Sequence, residues 1–335
     1  MVVTNELAGT TTRRAPPPGP SRGAPQPGGA PPVDTRRLHR AQRRRRSARR
    51  AVTGWAFTGP GTFLVIGLSI FPAVWAFLIS RTRWNGIAPS RDVGWRNYQR
   101  MADDPELWDA VRHTFVLTAL FVPSSIIIGL VIAIALSQKI RFIKFYRTCI
   151  FVPFVASAAA TGILASYVFN PQFGSANEAL RLVGLPPQLF LEDPHEVLVV
   201  ICVIALWGQI GFTAVIYLAA LQDIPRDLVE AATMDGANRR QIFRYVTVPE
   251  LRAVTVFTAV WQTITALQLF DLVYTTTRGG PLDASQTIVY YVYELAFQTQ
   301  RYGYGSAVAY GLFALTMVLT IAMILYSRRA KVEAF

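Results

Sequence analysis

Charged residues are scarce: Asp, Glu, Lys and Arg make up 16% of the 335 residues, against roughly 25% in an ordinary soluble domain. With 52% of the chain hydrophobic, that deficit excludes a water-soluble fold. Cysteine is nearly absent. Cys149 and Cys202 both fall inside apolar runs, which excludes a disulfide framework and predicts two small buried hydrophobes. Histidine is limited to His39, His113 and His195, too scattered to form a metal-ligating cluster. Lysine is limited to Lys139, Lys144 and Lys331, none of them preceded by glycine. A phosphate-binding loop requires G-x-x-x-x-G-K-[ST], so the chain has no ATP-hydrolysing motif of its own. It also lacks H-E-x-x-H and a nucleophile set beside a base. No residue pattern calls for catalysis, a metal or a cofactor held by this chain.

What is abundant is apolar sequence in long runs. Six are long enough to cross a bilayer core, which takes about 20 residues: residues 55–79, 114–137, 148–169, 197–219, 254–275 and 305–327. The expected fold is therefore all-α, a polytopic membrane protein with six transmembrane helices. Several contain glycine or proline, such as Pro60, Pro72 and Pro123, which membrane helices tolerate where neighbours satisfy the freed backbone groups.

The formal charge of +13 is mostly a tail, because residues 1–50 hold twelve arginines. That tail, with APPPGPSRGAPQPGGAPP and then RRLHRAQRRRR, buries too little apolar surface to offset its ordering entropy, and disorder is predicted for it. A basic tail beside a first span is topology chemistry and a contact for lipid headgroups rather than a nucleic-acid site. Residues 51–335 are then the membrane domain. The loop KIRFIKFYR (139–147) carries four basic residues and no acid, and the segment around 226–252 carries five arginines. The loop 170–196 has one arginine against Glu178, Glu192, Asp193 and Glu196. Lys/Arg asymmetry places both termini and the 226–252 segment in the cytoplasm. The loop 80–112 dissents with six arginines, nearly balanced by five acids. Its tryptophans and amphipathic pieces suit interfacial helices and a docking face for a soluble partner equally well.

Between the fourth and fifth runs lies LVEAATMDGANRRQIFRYVTVPEL, residues 228–251. Pro225 suits the first position of a helix, and Asp227 and Glu230 suit its positive end. Gly236 can take the left-handed conformation that ends a helix, and Asn238 can cap the next. Ile242, Tyr245 and Val246 fall at i, i+3 and i+4 and predict an apolar stripe. Such a hairpin either packs under the bundle or presents itself to another molecule.

These residues carry a resemblance. Glu230-Ala231-Ala232, Gly236 and the Val246-Thr247-Val248-Pro249 ending resemble the EAA loop of binding-protein-dependent ABC import permeases, with V-T-V-P in place of the usual I-x-L-P. VGWRNYQRM, LWDAVRHTFVLT, NPQFGSANEALRLVGLP and FDLVYTTTRGGP followed by SQTIVYYVYELAF resemble segments of the carbohydrate-type members, over about residues 55–330. The last pattern is typical of the first of two permease subunits for sugars, oligosaccharides or glycerol-phosphate. The resemblance implies a type I importer fold in a bacterial cytoplasmic membrane. It implies a second related permease, a cytoplasmic ATPase dimer that binds ATP and magnesium, and an extracytoplasmic solute-binding protein. It also implies a coupling loop over residues 224–250, which Glu230, Ala231, Ala232, Asp235, Gly236, Ile242, Phe243 and Pro249 seat on the ATPase.

For the solute path, polar residues within spans are costly and usually face the interior or water. Gln262 and Thr265 lie three apart on the fifth span, and Gln209 and Phe212 lie on the fourth. Amides, hydroxyls and aromatic faces suit a sugar, although the same residues also glue membrane helices together. The resemblance points to Gln209, Phe212, Gln262 and Thr265, with Phe154 added. Replacing Gln209 and Gln262 together by Leu is expected to weaken transport without loss of assembly. An anionic solute such as glycerol-phosphate would want arginine or lysine in the central spans, and an ion-coupled transporter would want mid-membrane carboxylates or paired broken helices. The sequence shows neither.

Overall fold

The computed structural model describes residues 54–138 and 141–329. The Arg/Pro-rich segment 1–50, with its predicted disorder, lies outside them. The chain divides into two units, Met1–Ile66 and Gly67–Phe335. Of the first, residues 54–66 are described; they are helical and apolar.

The described chain is almost entirely helical. Among the described residues five helices are long and apolar enough to cross a membrane: α1 (Gly54–Ser80), α2 (Pro105–Ser137), α5 (Val197–Asp223), α8 (Arg252–Thr276) and α9 (Tyr302–Ser327). A sixth crossing needs α3 (Ile143–Val155) and α4 (Ala158–Val168) taken together. The run 148–169 is thus not the straight helix its composition predicts: α3 and α4 meet at 99°. Pro153 supplies a cause, since it removes a helical hydrogen bond and crowds the carbonyl four residues back. Ala156 and Ser157 then turn extended. The fifth crossing is also interrupted, with the helix stopping at Leu267 and resuming at Asp271.

Helix α5 is the core of the second unit, with 44% of its most apolar window buried against 6% for α9. Glycine lets its neighbours come close. A Cβ added to Gly129 would lie 2.3 Å from Thr213 Cγ2, and one added to Gly211 would lie 2.3 Å from the Ile150 carbonyl oxygen. Membrane helices pack by such contacts because lipid supplies no hydrophobic drive between them. Leu117, Phe121, Ile201, Ile204 and Val273 form one buried cluster. Ala133, Leu136, Tyr217, Leu218 and Leu251 form another, towards the 226–252 hairpin. Cys202 is buried, as expected, but Cys149 is exposed on α3, so only one of the two cysteines is a core hydrophobe.

At the opposite end the loop residues are tightly bonded. A two-stranded ribbon pairs β1 (Thr82–Arg83) with β2 (Arg91–Asp92), and Asn97 donates to the carbonyls of Ser80 and Thr82 at 2.7 and 2.9 Å. Asp104 caps α2 by accepting from the Leu107 N–H. It also accepts from the hydroxyls of Tyr291, at 2.8 Å, and Tyr304. One carboxylate therefore ties the start of α2 to the start of α9 and to the segment before it. Burial pushes the Asp104 carboxyl up, but the two tyrosines, the Leu107 N–H and Arg100 together hold it below its ordinary value. A depressed folded-state pKa adds stability that is present above the ordinary value and lost as pH falls through the depressed one. Asp104→Asn is therefore expected to cost about 1–2 kcal/mol, the difference between charged and neutral hydrogen bonds. The variant should also lose that acid limb in a thermal-melt series from neutral pH to below pH 4. A melt series that matches the parent's would mean that the carboxylate does not tie these segments together.

Candidate functional site

Two places gather the functional candidates. The first is the hairpin between α5 and α8. Its first limb is α6 (Arg226–Met234), with Pro225 as N-cap and so one position earlier than predicted. The limb closes in a full Schellman arrangement: Ala237 N–H bonds the Ala232 carbonyl, Gly236 N–H bonds the Thr233 carbonyl, and Gly236 has φ +80°. A left-handed φ is the reason for glycine at that position. Asn238 and Gln241 then form a capping box, at 3.0 and 2.8 Å, that starts α7 (Arg239–Ile242).

A π-helical turn, Phe243–Thr247, follows. Pro249 lies just beyond it and has no N–H to continue a regular ladder, a situation in which a wider turn is an expected relief. That turn breaks the predicted stripe. Ile242 and Val246 are half-buried, but Tyr245 is 70% exposed with Arg244 over its ring. From Arg226 to Glu250 no residue is buried. Glu230, Ala231, Asp235, Gly236 and Phe243 are exposed, and Ala232, Ile242 and Pro249 half-buried. A loop that merely packed under the bundle would bury one face, so this hairpin offers its surface elsewhere.

The second place is a cavity of about 290 Å³ at the two breaks, between the α3–α4 bend, α5, and the interruption at 268–270. Phe154, Gln209 and Thr265 line it. Phe212 does not. It sits one ring back, stacked on Phe154 at 5.1 Å and against Trp261 at 5.4 Å. Gln262 is fully buried and lies elsewhere, with its Nε2 donating to Ser125 and Thr213 hydroxyls at 3.0 and 2.7 Å. It joins α2, α5 and α8 in the manner of helix glue, so replacing it by Leu loosens the bundle, and Gln209→Leu alone is the variant that probes the cavity. The lining also includes Gln268, Phe270 and Asp271, which come together because the fifth crossing breaks. Sequence reading did not place Gln268 and Phe270 in the path; the helix break that brings them there leaves no proline or glycine signal. The Gln209 Oε1 is buried without a hydrogen-bond partner. A buried unpaired acceptor is costly, and one that lines a cavity can take a hydroxyl. Among the described lining residues none is basic.

An all-helical bundle with interrupted crossings around a cavity, and an exposed hairpin at one end, is the architecture of a membrane permease. Residues 125–332 match the family model of the binding-protein-dependent transport system inner membrane component, and the chain belongs to that family. The lactose transport system permease protein of Rhizobium radiobacter is 32% identical, with 84% of this chain and 95% of the relative covered. The sulfoquinovosyl glycerol transport system permease protein of Agrobacterium fabrum is 31% identical, covering 78% and 85%. A probable ABC transporter permease protein of Pyrococcus horikoshii is 32% identical, covering 80% and 93%. A crystal structure of a bacterial ABC transporter that imports the acidic polysaccharide alginate contains a chain of the same fold. Its TM-score is 0.75 at 20% identity, over 86% of this chain and 99% of that one. The fold is thus that of a type I ABC importer permease.

Proposed function

We propose that this chain is one of two related permeases in an ATP-driven importer that carries a sugar or oligosaccharide across a bacterial cytoplasmic membrane. The observation that carries the solute class is the cavity lining. Phe154 and Phe270 offer ring faces, Gln209, Gln268 and Thr265 offer hydrogen bonds, and no lysine or arginine is there to neutralise a phosphate. The relatives named for lactose and for a sulfoquinovosyl glycerol support the same class. Glu230, Ala231, Ala232, Asp235, Gly236, Ile242, Phe243 and Pro249 would seat the hairpin on a cytoplasmic ATPase dimer. That partner would bind ATP and magnesium and perform the hydrolysis. A solute-binding protein would deliver the sugar to the opposite end, and no nucleic acid takes part. The lysine and arginine asymmetry supports cytoplasmic termini.

The test is purification of the tagged full chain from native membranes in mild detergent, with mass spectrometry of the material recovered. A second six-span permease and an ABC ATPase are expected with it. Recovery of this chain alone from several detergents would overturn the reading.

A further inference from the structure

A row of aromatic rings leads away from the cavity wall at Phe270. The Phe270 ring packs on Tyr274 at 5.3 Å and on Tyr293 at 5.2 Å. Tyr293 continues to Phe297 at 5.4 Å, Phe297 to Tyr302 at 6.4 Å, and Tyr302 to Trp84 at 5.5 Å. The row thus leaves the cavity wall and reaches the end of the bundle that carries residues 81–104 and 277–304. Two of its rings are exposed, Phe297 at 67% and Tyr274 at 38%, and the other four are half-buried. The backbone makes room for them. Gly86 has φ +83°, and a Cβ there would lie 2.7 Å from the Tyr302 ring and push it aside. The row carries three tyrosine hydroxyls, and the half-buried Glu294, which accepts from Gln286 at 2.9 Å, and the exposed Gln298 follow Tyr293 and Phe297 in the chain. An interfacial belt sets aromatic residues around the perimeter at headgroup level. Here each ring instead touches the next, and one end is the wall of a cavity.

We propose that Trp84, Tyr302, Phe297, Tyr293, Tyr274 and Phe270 form a stacking track for a pyranose ring, along which a sugar passes between the outer end of the bundle and the cavity. The inference rests on the sugar reading above. A pyranose has an apolar face of axial C–H bonds and a rim of hydroxyls. A ring in contact with the next ring holds that face at every step, and the tyrosine hydroxyls take the rim. The row has no deep pocket of its own, so it selects for the ring face and leaves the finer choice of sugar to the cavity.

The test uses the full chain in lipid nanodiscs and saturation-transfer NMR. The probes are methyl β-D-glucopyranoside, which has a ring face, and sorbitol, an open-chain polyol without one. The axial protons of the glucoside are expected to saturate strongly and sorbitol weakly. Phe297→Leu with Tyr274→Leu removes two exposed rings and should reduce the glucoside signal about fivefold, whereas Phe297→Tyr keeps the ring and should keep the signal. Equal saturation of the two probes would overturn the track. So would a signal that survives the double variant but vanishes in Gln209→Leu, and that outcome would leave the sugar reading standing with the cavity as its site. Saturation of neither probe would overturn the track and count against the sugar reading as well.

Discussion

Gly236→Arg is expected to abolish solute uptake while the chain still inserts, survives extraction and pairs with its sister permease. The reasoning starts from the backbone. Gly236 has φ +80°, and nothing lies within 4 Å of the Cβ an L residue would add there. The substitution therefore crowds no atom of this chain. Its internal cost is conformational, about 1–2 kcal/mol for a non-glycine residue in the left-handed region. The Schellman bonds on one side and the Asn238–Gln241 capping box on the other still hold the turn. What changes is the surface: a long cation projects from the tip of a hairpin none of whose residues is fully buried and that already carries Arg239, Arg240 and Arg244. Gly236→Asn is the informative companion, since asparagine tolerates the left-handed region best among side-chain-bearing residues. It should retain most uptake and most ATPase in co-purification, while the arginine variant retains neither. Uptake at the parent's level in the arginine variant would show that the hairpin tip is not a docking surface.

That hairpin was also the most legible part of the sequence, for a physical reason. Helix ends are specified by local chemistry: a glycine where φ must be positive, an asparagine where an N–H needs an acceptor. Gly236 and Asn238 signal both without reference to the rest of the fold. The crossings were legible as well, because hydrophobic length is a property of the segment itself. The breaks were not. Pro153 looked no different from Pro123, yet α2 continues through Pro123 for fourteen residues to Ser137, whereas the helix ends two residues after Pro153 and the next departs at 99°. Which of Gln262 and Thr265 faces the cavity was hidden too. Gln262 and Thr265 lie about 60° apart around a helix of 3.6 residues per turn. That is enough for one to join α2 and α5 while the other reaches the cavity. Only the positions of Ser125 and Thr213 decide between them, and those belong to distant parts of the chain.

The other large effect is expected at Gly211. A Cβ there would lie 2.3 Å from the Ile150 carbonyl oxygen, 3.0 Å from the Phe151 Cα and 3.1 Å from the Ile150 carbonyl carbon. All three are backbone atoms, so no rotamer change can make room. Helix α3 must move bodily off α5, or α5 must bend. Overpacking that side chains can absorb costs about 1–3 kcal/mol, and a clash between two helix backbones exceeds that range. The displaced helix also carries Phe154, whose ring rests on Phe212 and lines the cavity. Gly211→Val should therefore lose the monodisperse peak in size-exclusion chromatography after mild heating, and Gly211→Ala should lose part of it. Gly208, three residues earlier on the same helix, separates packing from passage. It lines the cavity, and an added Cβ would meet nothing within 4 Å. Gly208→Val should leave the elution profile intact and reduce uptake by filling space the solute needs. If Gly211→Val instead proved as heat-stable as the parent, the close α3–α5 contact would be wrong, and with it the cavity wall that this contact holds in place.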